Sequence, residues 1–346
     1  MEENLMKRTT WCAGVGMVIC SGSVMAEVKL SGFVDMSAES IRFQGKTVQR
    51  LQSGNMNTSR LVFSDVEKLG GDLEAQFVYE MRFRADTGAL TVPPARDSYV
   101  ALKGDFGRIL VGRMRVTSAT TYGRIDPSYT ATYSVVTNIS ASYQRWLENN
   151  TVKYETPVWN HWQVISSLSL GKEGENLGPR EQRKSGQGTS TGVRYQNGSW
   201  FTSLVYDKFN NALPGETMQD IWLVGEYWKR RDFKITAALH RYSGNYATGR
   251  PEQSGFDWQI GGRYFLNPNN ELVMSYVNRN ESGGANGDAN GLYLSLEHGL
   301  SKRTILYATY AQINNRGNSR YALSFDAQPT AGETVRGLSV GISHAF

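Results

Sequence analysis

Hydrophobic positions recur at every second residue through much of this 346-residue chain, the period of a β-strand with one apolar and one polar face. The alternation is strict at the end, where Leu338, Val340, Ile342, His344 and Phe346 share one face and Gly337, Ser339, Gly341 and Ser343 the other. Leu73, Ala75, Phe77, Tyr79, Met81 and Phe83 oppose Glu74, Gln76, Glu80, Arg82 and Arg84 in the same way. The pattern returns as Phe233, Ile235, Ala237 and Leu239 against Lys234, Thr236 and His240, and as Trp258, Ile260 and Tyr264 against Asp257, Gln259 and Arg263. Sixteen strand-like segments are legible, centred near residues 33, 61, 78, 100, 110, 153, 165, 193, 204, 224, 237, 260, 275, 294, 307 and 340.

A soluble sheet buries its apolar face in a core, whereas a membrane barrel turns that face to lipid and the polar face to a watery lumen. An arginine on the lipid face at the bilayer midplane costs about 2–4 kcal/mol, so in a barrel the charged face must be the lumen. Sixteen segments over residues 27–346 leave about 20 residues each, room for a spanning strand of about 9–11 residues with half a loop and half a turn. The connections alternate in kind. Tight turns such as Leu69-Gly70-Gly71-Asp72, Asn197-Gly198 and Asn267-Pro268-Asn269-Asn270 interleave with longer polar stretches at 172–189, 209–219, 243–255, 280–290 and 313–333. The longest unpatterned stretch, 117–147, follows the fifth segment, and a loop of that length inside a compact domain is usually functional.

The amino terminus changes the picture of the compartment. Lys7 and Arg8 precede an apolar stretch from Trp11 to Ile19, then Val24-Met25-Ala26, an arrangement that reads as a leader cleaved after Ala26. The apolar stretch is too short to cross a bilayer as a helix. Both cysteines, Cys12 and Cys20, lie in residues 1–26, so the single domain expected over 27–346 has no disulfide to form. The leader carries two charges of each sign, which leaves the net charge at +5. A mean hydropathy of −0.44 is no objection to a membrane barrel, because lipid contact confined to alternate residues averages out. The 18 Tyr, 8 Trp and 36 Gly suit aromatic girdles and tight turns, although soluble β-sandwiches share that richness.

Several stretches resemble one family. The Phe-terminated closing strand is similar to the carboxy terminus of Gram-negative outer-membrane barrels, where that residue belongs to the assembly signal. Residues Arg96 to Arg113, with the run Asp105-Phe106-Gly107-Arg108, resemble the fourth and fifth strands of the general diffusion porins, most closely the proteobacterial group that includes the neisserial porins. Thr58-Ser59-Arg60-Leu61-Val62-Phe63 resembles their second strand and Asn150 to Pro157 their sixth. The resemblance implies an all-β fold, a 16-stranded antiparallel transmembrane β-barrel whose constriction loop, here 117–147, folds inward. It implies a homotrimer in the outer membrane with both termini periplasmic. The partners it implies are lipid, lipopolysaccharide, the barrel-assembly machinery and small diffusing ions and hydrophilic solutes, with no cofactor, metal or nucleic acid.

In such porins wall arginines face acids on the inward loop. Carried over, this places Arg60 and Arg96 in a basic cluster at the constriction. Lumen parity adds Arg82 and Arg84, and Asp126, Arg124 and Arg145 are the loop's candidate charges. Arg145 stands in for an arginine that the family often has where this chain has Leu147, and Asp126 is the loop's sole carboxylate. An acid-poor loop points to a weakly anion-selective pore, with a substrate-selective channel as the alternative. Arg113 and Arg115 share the parity of Ile109 and Val111, which carries them outward to the headgroup rim or a subunit contact. Tyr122, Tyr129, Tyr133 and Tyr143 on the loop fit either a stacking track or packing against the wall. A barrel enzyme needs a base beside a nucleophile. Of the four histidines, His161, His240, His298 and His344, only His240 falls on the lumen face, and no metal-ligand pair or nucleophile motif accompanies it. A secreted sandwich adhesin remains as a second class, separated by the Phe-terminated strand.

Overall fold

The computed structural model describes residues 28–141, 145–171, 186–211, 216–229, 232–245, 252–282 and 286–346. The expected leader, with Cys12 and Cys20, and the loop residue Tyr143 lie outside them. The strands are β1 (Lys29–Phe43), β2 (Lys46–Ser53), β3 (Arg60–Gly70), β4 (Leu73–Phe83), β5 (Leu90–Gly104), β6 (Gly107–Arg115), β7 (Leu147–Glu155), β8 (Trp162–Leu170) and β9 (Gln187–Asn197). They continue as β10 (Trp200–Asn210), β11 (Thr217–Lys229), β12 (Phe233–Gly244), β13 (Gln253–Asn267), β14 (Asn270–Glu281), β15 (Ala289–Gly299), β16 (Thr304–Asn315) and β17 (Thr334–Ala345).

Each strand pairs antiparallel with its neighbours, and β17 returns to β1 in a register running from Phe33 opposite Ala345 to Arg42 opposite Arg336, which closes the sheet. β2 and β3 share one place in the wall, because β1 pairs with β2 through Met36–Phe43 and with β3 through Lys29–Phe33. The barrel is therefore 16-stranded, and every segment centre read from the pattern falls inside a strand. β2 had no such centre. Its two aliphatic residues, Val48 and Leu51, have opposite parity, so the segment shows no alternation. It follows β1 through a two-residue turn in which Gln44 and Gly45 both have positive φ, 50° and 67°, the backbone that a tight hairpin requires.

Residues 54–59 leave the wall between β2 and β3 and fold inward as a knuckle, with Asn55 and Ser59 buried. Asp35 of β1 holds the knuckle, its carboxylate accepting the main-chain N–H groups of Met56 and Asn57, each at 3.3 Å.

The burial pattern is the reverse of a soluble sandwich. Val340, Leu204 and Ile260 are 58%, 52% and 53% exposed on the outer face, while Asp35, Asp257 and Arg279 on the inner face are at most 1% exposed. An apolar outside and a charged inside suit a wall between lipid and a polar lumen. Near the rim of short turns, ring pairs cover the outside: Trp162 with Tyr195 at 5.0 Å and Trp200 with Tyr227 at 4.6 Å, an aromatic girdle of the kind that sits at headgroup level.

Candidate functional site

The segment between β6 and β7 folds into the lumen. It opens with α1 (Thr117–Ile125), a helix whose first turn has no side-chain cap of its own. The wall completes that end: the Ser118 N–H donates to Ser190 Oγ at 3.1 Å, the Thr117 hydroxyl to the Ser190 carbonyl at 2.9 Å, and the Ser118 hydroxyl to the Asp207 carboxylate. Tyr122 stacks on Trp222 of β11 with ring centroids 5.6 Å apart.

Three successive strands then each supply a buried cation to a main-chain carbonyl of the loop. Lys234 of β12 donates to Arg124 O at 3.0 Å, Arg263 of β13 to Pro127 O at 2.7 Å, and Arg279 of β14 to Ile139 O at 2.8 Å. Wall carboxylates neutralise them: Glu226 lies 3.1 Å from Lys234, Glu271 2.9 Å from Arg263 with Glu297 beside it, and Asp257 3.5 Å from Arg279. At its far side the loop meets the knuckle, where Thr132 donates to Gly54 O at 2.7 Å, and Tyr133 donates to Glu39 of β1 at 2.7 Å.

Facing the loop is a basic stretch of wall. Arg60 of β3, Arg82 of β4 and Arg96 of β5 converge on one oxygen of Glu80, at 3.8, 3.9 and 3.5 Å. Arg115 joins them through Asp97, 3.1 Å away. Between wall and loop lies a cavity of about 230 Å³, with Asn57, Thr58, Arg60, Arg96 and Arg115 on one side and Ala119, Gly123, Tyr129 and Thr130 on the other, and Trp146 at its edge. No carboxylate lines it.

The residues singled out from sequence thus divide. Arg60, Arg82 and Arg96 form one cluster. Arg84 stands apart, 3.9 Å from Asp86 and 4.0 Å from Asp326. Arg124, in the last turn of α1, reaches away from that cluster to β10 and β11, 3.5 Å from Glu226 and over the Phe201 ring at 3.7 Å. Arg145 pairs with Glu148 at 3.3 Å and donates to Asn210 O at 3.2 Å. Asp126 is fully buried and does not face the arginines: it accepts from the amides of Ser128 and Thr130 and from the hydroxyls of Ser128 and Ser134, at 2.5–3.1 Å. Burial pushes its carboxyl above the usual range, and those hydrogen bonds draw it part of the way back.

Arg115 corrects the outward placement that strand parity gave it. The pairing of β6 with β7 is irregular between Gly112 and Met114, and Gly112 has φ +146°, where a Cβ would stand 2.3 Å from the Ser98 carbonyl oxygen. The alternation breaks at this bulge, which brings Arg115 into the lumen. The signal in the sequence was Gly112 itself, an interior strand glycine. Of the described loop tyrosines, Tyr122 and Tyr133 are buried packing residues, and Tyr129 is half exposed. His240 has both ring nitrogens engaged, Nε2 by Asp220 and Nδ1 by Asp257, each at 2.9 Å, and stacks on Trp222 at 3.8 Å. An imidazole so occupied is a structural tie rather than a free base.

A family model for the Gram-negative porin matches residues 12–318. The sequence is 26% identical, over a 359-residue alignment, to outer membrane porin protein 32 of Delftia acidovorans, covering 96% of this chain and 98% of that one. Among solved structures, the anion-selective porin from Comamonas acidovorans matches with a TM-score of 0.81 at 24% identity, covering 93% of this chain and 100% of that one. The trimer form of OmpT from Vibrio cholerae matches with a TM-score of 0.68 at 18% identity, covering 93% and 99%.

Proposed function

The chain belongs to the Gram-negative porin family and is an integral outer-membrane β-barrel serving passive diffusion, and on that premise we propose that its pore passes ions and small hydrophilic solutes with a weak preference for anions. The observation that carries this is the lining of the 230 Å³ cavity between wall and loop, basic on the wall and without a carboxylate. Arg60, Arg82, Arg96 and Arg115 against Glu80 and Asp97 leave an excess of two positive charges. In water a unit charge about 4 Å from a passing ion contributes about 1 kcal/mol, and salt screens it over about 8 Å at physiological strength. Since about 1.4 kcal/mol is tenfold, the preference is several-fold and cations still pass. The Comamonas porin with the same fold is described as anion-selective.

Planar-bilayer recording in a salt gradient tests this. The wild type should give a reversal potential on the anion side, and Arg60→Ala with Arg96→Ala should raise conductance and shift that potential toward cations. A cation-selective wild type, or a double variant with unaltered selectivity, sinks the basic-cluster assignment.

The same reading makes 117–147 the constriction loop, Phe346 part of the assembly signal, residues 1–26 a removed leader and both termini periplasmic. It involves no catalytic step, in keeping with the fully engaged ring of His240. The working particle is a homotrimer, supported by outward Val28, Leu30 and Val34 at the start of the chain and β1 and by the trimeric Vibrio relative. Its native mass in mild detergent should be that of three chains, and a monomer there contradicts the assignment. Lipopolysaccharide outside and the assembly machinery inside complete the set of partners.

A further inference from the structure

We propose that the cavity between wall and loop is also a binding site for small aromatic monocarboxylates, with Tyr129 and Trp146 receiving the ring and Arg60, Arg96 and Arg115 the carboxylate. The inference deepens the channel reading above and rests on it. Tyr129 supplies the first support. It is 49% exposed where Tyr122 and Tyr133 are buried, and its backbone is left-handed, with φ +53° followed by +65° at Thr130. Residues with a Cβ adopt that conformation only where the surroundings impose it. Here the buried Asp126 carboxylate imposes it, accepting the amides of Ser128 and Thr130 on either side. The loop thus spends its one acidic side chain on displaying this ring.

Position is the second support. Tyr129 borders both the 230 Å³ cavity and a 580 Å³ cavity toward the short-turn rim, the latter lined in part by Arg124, Glu226, Trp228 and Lys234. A solute moving from one to the other passes its ring. The face of an aromatic ring ordinarily repels an anion, but the Lys234 ammonium and the Arg263 guanidinium stand 5.1 and 4.9 Å from this centroid. Both cations are paired with wall carboxylates, so the ring offers a stacking face of little net charge, and the carboxylate of a bound arene has to find its cations at Arg60, Arg96 and Arg115 opposite.

Third, the opposite side is prepared for a carboxylate. Arg96 has a side chain only 9% exposed, held over Trp146 at 5.4 Å. Its Nε has no hydrogen-bond partner among the described residues. Arg96 lines the cavity together with Arg60 and Arg115, so a carboxylate entering it meets three guanidinium groups and can accept charge-assisted hydrogen bonds from them. An aliphatic acid satisfies the arginines but not the rings, and a neutral arene the reverse. The volume lies below the roughly 300–1,000 Å³ of pockets for drug-sized ligands, which limits the site to a single ring.

Block of chloride current through the purified protein in a planar bilayer tests the inference, with sodium benzoate, acetate, cyclohexanecarboxylate and benzamide as probes. Benzoate should halve the current at a concentration about tenfold below that needed for any of the other three. In Tyr129→Leu the ratio of benzoate to acetate potency should fall to near one, while Tyr129→Phe retains it. Heat-shifted gel mobility establishes that each variant is folded. If Tyr129→Leu is not, Trp146→Leu is read in the same way. Equal block by benzoate and acetate in an anion-selective wild type overturns this inference alone, as does benzamide matching benzoate or a leucine variant that keeps the ratio. A cation-selective wild type instead overturns the reading beneath it.

Discussion

At Asp126 four donors converge on one carboxylate that no solvent reaches. The sequence offered it as the loop's only acid, and the natural expectation was a charge facing the wall arginines. What a linear sequence does not show is that Ser128, Thr130 and Ser134 stand close enough to take that carboxylate for their own turn. Arg82 was legible because strand parity is a one-dimensional property, whereas Arg60 and Arg96 came from the family resemblance. Arg96 shares the parity of outward Val100 and Leu102 and turns inward only where the pairing of β4 with β5 is irregular between Tyr79 and Met81, and the three then converge on Glu80. The buried acid has a pH signature. Its folded pKa lies above the ordinary 3.8 because burial disfavours the ionised form. Such a group favours the fold most when protonated, and that contribution is lost as pH rises from the unfolded value through the folded one and is flat beyond. Asp126→Asn removes the titration. The difference in heat-unfolding temperature between wild type and Asp126→Asn should therefore turn against the wild type across that acid window, read by gel mobility at a series of pH values. A difference that does not vary with pH there contradicts the burial argument.

The strand elements were read correctly wherever alternation is present; where it is absent a strand was missed, and where it breaks a side chain was misplaced. β2 lacks it, and β6 loses it at Gly112, which is why Arg115 was placed outside the barrel. The inward path of the 117–147 segment followed only from family resemblance, because nothing in its own residues states where it docks. The structure supplies the reason in β12, β13 and β14, whose cations Lys234, Arg263 and Arg279 grip three loop carbonyls. Lys234 and Arg263 were visible as lumen-facing residues, but their partners are main-chain oxygens, which no sequence pattern marks. Arg263→Met removes one grip and leaves buried Glu297 without its cation. Deleting one member of a buried pair costs about 3–5 kcal/mol. The variant should lose its heat resistance at a lower temperature and show added open-channel noise from a loosened loop. A quiet channel of unchanged heat resistance would mean that the loop is held elsewhere.

For the whole molecule, the inverted distribution of apolar surface was deducible from the cost of an arginine in lipid, and the closed sheet bears it out. The seam is a separate matter. Gly32 and Phe346 exchange main-chain hydrogen bonds of 3.1 and 3.2 Å. The Phe346 ring lies over Gly32 so closely that a Cβ there would be 2.7 Å from it and 2.2 Å from the Arg60 carbonyl oxygen. Phe346→Ser and Gly32→Val should each lower the yield of heat-modifiable barrel in the outer membrane while leaving export intact. Full insertion of both would show that the seam tolerates what its geometry forbids.

That seam also governs time. The pairing of Phe33 with Ala345 joins points roughly 300 residues apart, and the entropy of closing so long a span grows only as its logarithm. The equilibrium penalty is thus modest, but the wait is not, since contacts so distant in sequence form slowly. Until β17 reaches β1, every partial sheet carries two raw edges whose unpaired amides and carbonyls invite another chain. A protein built this way is at its most vulnerable between synthesis and closure, an interval that the finished barrel no longer records.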